Sequence, residues 1–396
     1  MADEPQAQGA YSLVLSSRIE EIPAAEWNAC AADPDNPFIS HEFLAALEAG
    51  GAVGGESGWT PMHLTLRDGA GQIVAAAPLY VKDHSFGEYV FDHAWADAFH
   101  RAGGRYYPKL QLAIPFSPVP GRRLLIRPEA GVDVARIGRL LAGICAESGL
   151  SSVHVTFCTE AEAEALAAAG FLHRRGVQFH WHNAGYRDFE DFLAALASRK
   201  RKMIRRERRE AAALGLDIRI RRGAEITEPV WDGFYRAYLA TTGRKWGGPY
   251  LTRAFFSELP ARLGERVVLI TAERGGSLVA GALNLVGERT LYGRNWATRE
   301  ELPFLHFELC YYRAIEFAIA EGLASVQAGA QGEHKLARGY VPVFTHSAHW
   351  FAHRGLARAV EAFIRRESEV VAVEAEELGA FAPFRRDGAL DEEHGQ

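Results

Sequence analysis

The sequence predicts an α/β protein, a mixed sheet with helices on its faces, built twice in tandem. Three observations carry that expectation. First, the two halves repeat the same phrases in the same order. PFISHEFLAAL (Pro37 to Leu47) aligns without gaps on PYLTRAFFSEL (Pro249 to Leu259), VAAAPLYV (Val74 to Val81) matches VAGALNLV (Val279 to Val286), and AESGLSSVHV (Ala146 to Val155) matches AEGLASVQA (Ala320 to Ala328). Collinear self-similarity of this kind marks a duplicated unit, and Trp27 and Trp231 add a fourth match. Second, each copy runs through a strand, one or two helices, a strand hairpin, a helix and a returning strand, an order that makes a mixed sheet covered by helices. Third, 396 residues exceed what one hydrophobic core usually supports, so two domains are expected.

The second copy shows the elements most clearly. LDIRIRR (Leu216 to Arg222) alternates as a strand, and EPVWDGFYRAYLATTG and TRAFFSELPARLG read as helices. RVVLITAERGGSLVAGALNLV is a hairpin turning at Gly275-Gly276, and RTLYGRNWAT adds another strand. HFELCYYRAIEFAIAEGL (His306 to Leu323) is a helix stopped by Gly322, and SVQAG returns as a strand. The first copy carries an insertion near 92–123. The expected division is a first domain over 11–183, a second over 184–370, and an acidic, partly disordered tail over 371–396.

Composition excludes several classes. A formal charge of −6 and a pI near 6.2 argue against general nucleic-acid coating while leaving room for a local basic face. Cys30, Cys145, Cys158 and Cys310 show no CxxC spacing, which suits reduced thiols rather than a disulfide frame or a zinc knot. The start MADEPQAQGA is no signal peptide, and no apolar run approaches the roughly 20 residues that cross a bilayer. The expectation is a cytoplasmic protein, working in solution or at the inner membrane surface.

The order of elements, the duplication and the fragment GAQGEHKLARGY (Gly329 to Tyr340) resemble the GNAT acyltransferase superfamily in its doubled form. More closely, the chain is similar to the FemAB-like N-acyltransferases of peptidoglycan biosynthesis or recognition, relatives of the FemABX aminoacyltransferases. The phrases YYPKL (Tyr106 to Leu110) and PFSPVPGRRLL (Pro115 to Leu125) share that likeness, which runs from about Tyr11 to Arg366. The resemblance implies transfer of an acyl or aminoacyl group to an amine. It also implies a site between two splayed strands, here RTLYGRNWAT and SVQAGAQ, with the second half of the chain carrying the reacting residues.

Such a reaction needs a proton acceptor for the amine, donors for the oxyanion and an acid for the leaving group. Glu333 and His334 are candidates for handling protons, since an imidazole titrates near neutrality and a partly buried carboxylate can be tuned upward. Tyr340 is a candidate donor to the leaving group. Glu308, at the start of the long helix, is a second base candidate or an acid placed to favour the helix dipole. Lys335 and Arg338, three apart on one helical face, are read as a clamp for a substrate phosphate or carboxylate, a pair the first copy lacks. Gln331, Asn295 and Trp296 flank the same cleft as substrate-binding residues. The alternative is that the run around Lys335 solvates a surface turn.

Other groups bear on the substrates. In SRKRKMIRRERREAAAL (Ser198 to Leu214) the basic residues fall on one half of a helix, with Arg201, Lys202, Arg205 and Arg208 read as polyanion-binding; tRNA and an anionic lipid-linked precursor are the alternative partners. In the insertion, Tyr106, Tyr107 and Lys109 combine rings and a cation in a way that suits a small-molecule or peptide amine acceptor, or else plug the core. Arg244 and Trp246 form a smaller version of that chemistry. His346 and His349 stand an odd step apart on a strand, so no metal site is expected. The donor is acyl-CoA or an aminoacyl-tRNA, with no permanently bound cofactor. TREELPFLHFE (Thr298 to Glu308) lacks the glycine-rich loop that lets a backbone approach a pyrophosphate. The rival to an enzyme is a non-catalytic binding protein for an anionic cell-envelope precursor or nucleic acid.

Overall fold

The computed structural model describes residues 11–243, 248–329, 332–380 and 383–385. The chain forms two compact units, and they are interleaved in sequence. Unit 1 takes the described residues of Met1–Gly176, Gly247–Arg266 and Thr345–Val371; unit 2 takes those of Val177–Trp246, Val267–Phe344 and Ala372–Gln396. The first crossing, after Gly176, falls near the expected boundary at 183. The two later segments that return to unit 1 have no counterpart in a linear division.

Packing explains the first return. The helix His41–Ala49 is capped by the Ser40 hydroxyl, and the helix Arg253–Leu263 by that of Thr252. These are the two helices of the matching phrases, and they pack on each other within unit 1. Phe43 and Phe255 meet edge to face with ring centroids 6.3 Å apart, and the Thr252 hydroxyl also donates to the Gly50 carbonyl. A Cβ at Gly50 would stand 2.6 Å from Phe255 Cα, so only glycine permits this approach.

Unit 1 holds two sheets. One is antiparallel, with strands ordered Ser12–Ser16, His63–Arg67, Ile73–Ala77, Leu125–Ile126. The other contains Trp59–Pro61, Leu79–Lys82, Lys109–Leu112 and Ser152–Cys158, the last two parallel, with the end of Val341–Phe351 pairing alongside Ser152–Cys158. The repeated phrase VAAAPLYV is cut at Pro78, which has no N–H to give a ladder, so its halves serve different sheets. In unit 2 the matching phrase is the unbroken strand Ser277–Val286, with a bulge at the matching place between Leu283 and Asn284. The insertion contributes the helix His93–Arg101 and the strand Lys109–Leu112 instead of a loop.

Unit 2 is built on one sheet, ordered Asp217–Arg222, Val267–Arg274, Ser277–Val286, Thr290–Thr298, Ser325–Gln327, and then the end of Leu172–His182. The expected hairpin turns at Gly275 and Gly276, whose φ of 56° and 76° match the type I′ turn that glycine favours. Its core gathers Trp181, Phe192, Leu291, Tyr312, Ile315 and Val326. Residues 371–380, expected to begin a partly disordered tail, continue the helix Arg354–Ala380.

Candidate active site

In unit 2 the strands Thr290–Thr298 and Ser325–Gln327 run parallel through three pairs, the last being Tyr292 with Gln327. There the ladder stops. The first strand stays paired on its other side as far as Thr298, with Arg294 as the extra residue of the bulge. Beyond Tyr292 and Gln327 a cavity of about 80 Å³ is lined by Gly293, Asn295 and Trp296 from one strand, Ala328 from the other, and His306 and Tyr311 from the following helix. A space of this size beside the gap has room for a small group such as a carbonyl.

The helix behind the gap is irregular where it meets it. Leu305–Phe307 is α, Glu308–Tyr312 is a π turn, and Arg313–Ala320 is α again. The wider turn is a feature often found at functional sites. The helix is entered through Phe304 at φ 58°, a strained value for a bulky residue. Tyr311 lines the cavity, and its hydroxyl meets His334 Nε2 at 2.8 Å. Burial pushes the Tyr311 phenol above its ordinary range and keeps it protonated. Burial and, after it, the nearby Arg338 and Lys335 hold His334 below the usual imidazole value, so it is neutral near pH 7 and able to accept a proton. Trp296 and His306 (5.1 Å), then His306 and Tyr311 (5.3 Å), continue a run of rings around the gap.

Glu333–Arg338 is a 3-10 helix, in which residues three apart eclipse. That geometry does put Lys335 and Arg338 on one side, but the side faces inward. Lys335 is 1% exposed and donates to the Gly329 carbonyl at 2.7 Å, tying the chain just after the second strand. Loss of water lowers its pKa to about 8, with the Cys310 thiol acting weakly in the other direction. The Arg338 guanidinium donates to both Glu207 oxygens at 2.8 Å, to the Tyr312 hydroxyl at 3.0 Å and to the His334 carbonyl at 2.7 Å, and it lies 3.5 Å from the Phe307 ring centroid. Tyr312 also donates to Glu207. Arg338 is therefore a structural bolt and not the substrate clamp that its spacing suggested, because a buried carboxylate consumes it.

Glu207 comes from the basic helix Ser198–Ala212, whose buried face is Ile204, Glu207 and Ala211. Arg208 on the same helix donates to Glu308 at 3.1 Å and to Glu316 at 2.6 Å, and Arg313 donates to Glu308 at 2.8 Å. The Glu308 carboxylate is thus saturated by two guanidinium groups and is not a free base, and Arg208 is committed inward. Arg201 donates to the Ala194 and Leu196 carbonyls and Arg205 pairs with Glu190. The outward face consists of Arg199, Lys202, Arg206 and Arg209, all exposed. Arg206 meets Glu210 at 3.4 Å, while Arg199, Lys202 and Arg209 have no acidic partner among the described residues. Of the four expected anion-binding residues, Lys202 alone is both exposed and without an acidic partner.

A family model described as FemAB-like, peptidoglycan biosynthesis/recognition, matches residues 18–386. The chain belongs to the FemAB-like family. Its fold is shared with solved structures of low identity. One is the C-terminal domain of a protein assigned as a lysylphosphatidylglycerol synthetase from Agrobacterium fabrum, 10% identical with a TM-score of 0.52 over 86% of this chain and 97% of that one. A second is FemX, 11% identical with a TM-score of 0.50 over 86% and 98%. A third is a conserved protein of unknown function from Bacteroides thetaiotaomicron, 10% identical with a TM-score of 0.53 over 86% and 100%. No curated protein is significantly similar in sequence. This FemAB-like chain shares its fold with FemX, and among its described residues no helix is long and apolar enough to cross a membrane.

The remaining expected residues divide clearly. Asn295 and Trp296 line the gap, and His334 stands exposed at its edge. Tyr340 is 0% exposed, packed 5.5 Å from the Tyr311 ring, with no hydrogen-bond partner for its hydroxyl among the described residues, so it cannot meet a leaving group as expected. Gln331, Arg244, Trp246 and the side chain of Glu333 lie outside the described residues. In unit 1, Lys109 is 0% exposed and donates to Ser85, Glu88 and Asp92 at 2.9, 2.8 and 2.5 Å. Tyr106 donates to Asp92 at 2.8 Å and half-buried Tyr107 meets Ser85 at 2.8 Å. These three form an internal cluster rather than an acceptor surface, since a cation between two carboxylates is satisfied without a ligand. Among the described residues no His, Cys, Asp and Glu group could hold a metal.

Unit 1 treats its own version of the gap differently. By the repeat, Gln111 and His154 match Tyr292 and Gln327, yet here the parallel ladder runs one pair further, to Leu112 and Val155. Gln111 then donates to the Thr156 hydroxyl at 2.9 Å. Arg123, 0% exposed, closes the end by donating to the carbonyls of Thr156 (2.9 Å), Gly121 (3.0 Å) and Val119 (2.6 Å). The copy that keeps the scaffold has filled the opening with its own chain.

Proposed function

We propose that this protein moves an aminoacyl group from an aminoacyl-tRNA to an amine of a peptidoglycan precursor, with the ester carbonyl seated in the gap of unit 2. The observation that carries this reading is the parting of the two strands after Tyr292 and Gln327, beside a cavity sized for a carbonyl. The sealed counterpart in unit 1 supports a single reacting half. The amine attacks the carbonyl, a C–N bond forms as the C–O bond to the ribose breaks, and the amine's proton must leave. Neutral His334 accepts it through the Tyr311 hydroxyl, which spans from the cavity to the imidazole, and the same relay returns the proton to the departing ribose oxygen, which leaves as the hydroxyl. Lys335 acts by holding Gly329, and with it the border of the gap, in place.

The choice of donor rests on the entrance to the helix. A CoA pyrophosphate would approach 299–304, which contains no glycine, so it would meet side chains instead of free backbone. The exposed face at Arg199 and Lys202, on a helix bolted to the site through Glu207 and Arg208, suits the phosphates of an RNA. Thermal unfolding tests the donor. A ligand at 100 times its dissociation constant stabilises by about 2.7 kcal/mol, a shift of a few degrees. CoA and acyl-CoAs at millimolar concentration should give no shift, whereas aminoacyl-tRNA should give one; the reverse pattern overturns the donor assignment.

A further inference from the structure

We propose that a cavity in unit 1 binds a small zwitterion, an amino acid or short peptide with a free amine and a free carboxylate. The cavity, of about 460 Å³, is lined from the end of the helix Ala24–Ala31, the start of His41–Ala49 and the end of Arg253–Leu263. That volume falls within the roughly 300–1,000 Å³ typical of small-molecule sites. Every lining residue belongs to unit 1, and the proposal does not rest on acyl transfer at the gap of unit 2.

Four charged side chains line the cavity, Asp33 and Glu42 of one sign and Arg262 and Arg266 of the other. Arg262 is occupied, meeting Glu258 at 2.9 Å and Glu20 at 3.5 Å. The other three have no ion-pair partner among the described residues. Glu42 accepts from the Asn28 amide at 3.0 and 3.1 Å, which fixes its carboxylate without neutralising it. Asp33 takes only the Asp35 N–H on its side chain, at 3.2 Å. The Arg266 side chain has neither a hydrogen bond nor a ring contact among the described residues. Opposite charges in one cavity attract, yet the fold keeps these from meeting. The backbone sets the acidic side: the first helix ends through Ala32 at φ 37° and ψ 39°, a left-handed value that favours glycine or asparagine, and Ala32 itself lines the cavity. Strain of this kind gathers at ligand clamps. A ligand with a single charge would satisfy one side and leave the other bare. An ammonium at Glu42 and Asp33 with a carboxylate at Arg266 satisfies both.

Equilibrium dialysis of the full chain against labelled L-alanyl-L-alanine, with L-alanine run alongside, tests the site. At least one of the two is expected to bind once per chain with a dissociation constant of about 1 mM or below, and the tighter binder shows whether a peptide or a free amino acid is read. Acetylating the amine or amidating the carboxylate should each weaken binding by about ten-fold or more. Arg266→Met and Glu42→Gln should do the same with the unit 1 melting transition unmoved, since the first removes no described contact and the second keeps an acceptor for Asn28. Gly293→Val, which alters the gap of unit 2, should bind as the parent does. No binding of either compound at about 10 mM, or equal binding of capped and free forms, overturns the proposal and leaves the transfer reading untouched. Loss of binding in Gly293→Val with retention in Arg266→Met puts the ligand in the gap and overturns it as well.

Discussion

Replacing Glu207 with alanine probes the bolt between the basic helix and the gap. The carboxylate accepts two bonds from Arg338 at 2.8 Å and one from Tyr312, and both members of the ion pair are 5% exposed. Removing it strands a guanidinium in the interior, and breaking a buried pair in this way costs about 3–5 kcal/mol. For a unit of this size each kcal/mol moves the midpoint by roughly 2–4 °C, so the unit 2 transition should fall by about 6–20 °C. Because the chain has two units, the scan should be read as two transitions. Glu207→Gln, which keeps the shape and an acceptor, should lose less. If Glu207→Ala melts within about 1 °C of the parent, the guanidinium has found water or another partner, and the assignment of Arg338 as a structural group is wrong.

Further outcomes follow from the same geometry. At Gly293 an added Cβ would lie 3.4 Å from the Gln327 carbonyl oxygen and 3.6 Å from Ala328 Cα, ordinary contacts, so Gly293→Ala should melt within about 2 °C of the parent. The methyl nevertheless enters the gap and should lower kcat/KM by about ten-fold or more. Lys335 holds its proton less tightly in the fold, near 8, than in the unfolded chain, near 10.5. Between those values the unfolded chain carries the extra proton, so the cost of burying the cation is full below pH 8 and fades as pH rises. The stability of the parent relative to Lys335→Met should accordingly rise by about 3 kcal/mol from pH 8 to 10.5, measured by denaturant titration. Lys109→Met would leave Glu88 and Asp92 without their cation and should cost about 3–5 kcal/mol in the unit 1 transition, with RNA binding unchanged.

The duplicated phrases were enough to place the scaffold, because hydrophobic periodicity and glycine turns act locally. The family resemblance, not the repeat, pointed to the two strands that part, and beside that gap stand Asn295, Trp296 and His334. The phrases could not show that PYLTRAFFSEL returns to pack on its own duplicate, since that depends on Phe255 meeting Gly50 across the chain. Charge was the least legible feature. Arg338, Lys335, Lys109 and Arg208 look like surface ligands in one dimension and are all engaged internally. One signal was available: Glu207 lies on the same helical stripe as Ile204 and Ala211, and a carboxylate on an apolar stripe implies a buried cation. Tyr311 gave no such sign, because its position against His334 depends on the π turn.

The central claim is that acyl transfer occurs at the gap in unit 2 with an aminoacyl-tRNA donor. The most direct measurement follows a labelled aminoacyl group from a mixed aminoacyl-tRNA pool into isolated peptidoglycan precursors, with the parent and with Gly293→Val, which overfills the gap. The account predicts labelled precursor with the parent and at most background with the variant, while the variant remains folded by its melting transitions. Equal labelling by both proteins would contradict the assignment of the gap, and labelling from acetyl-CoA but not from aminoacyl-tRNA would contradict the donor.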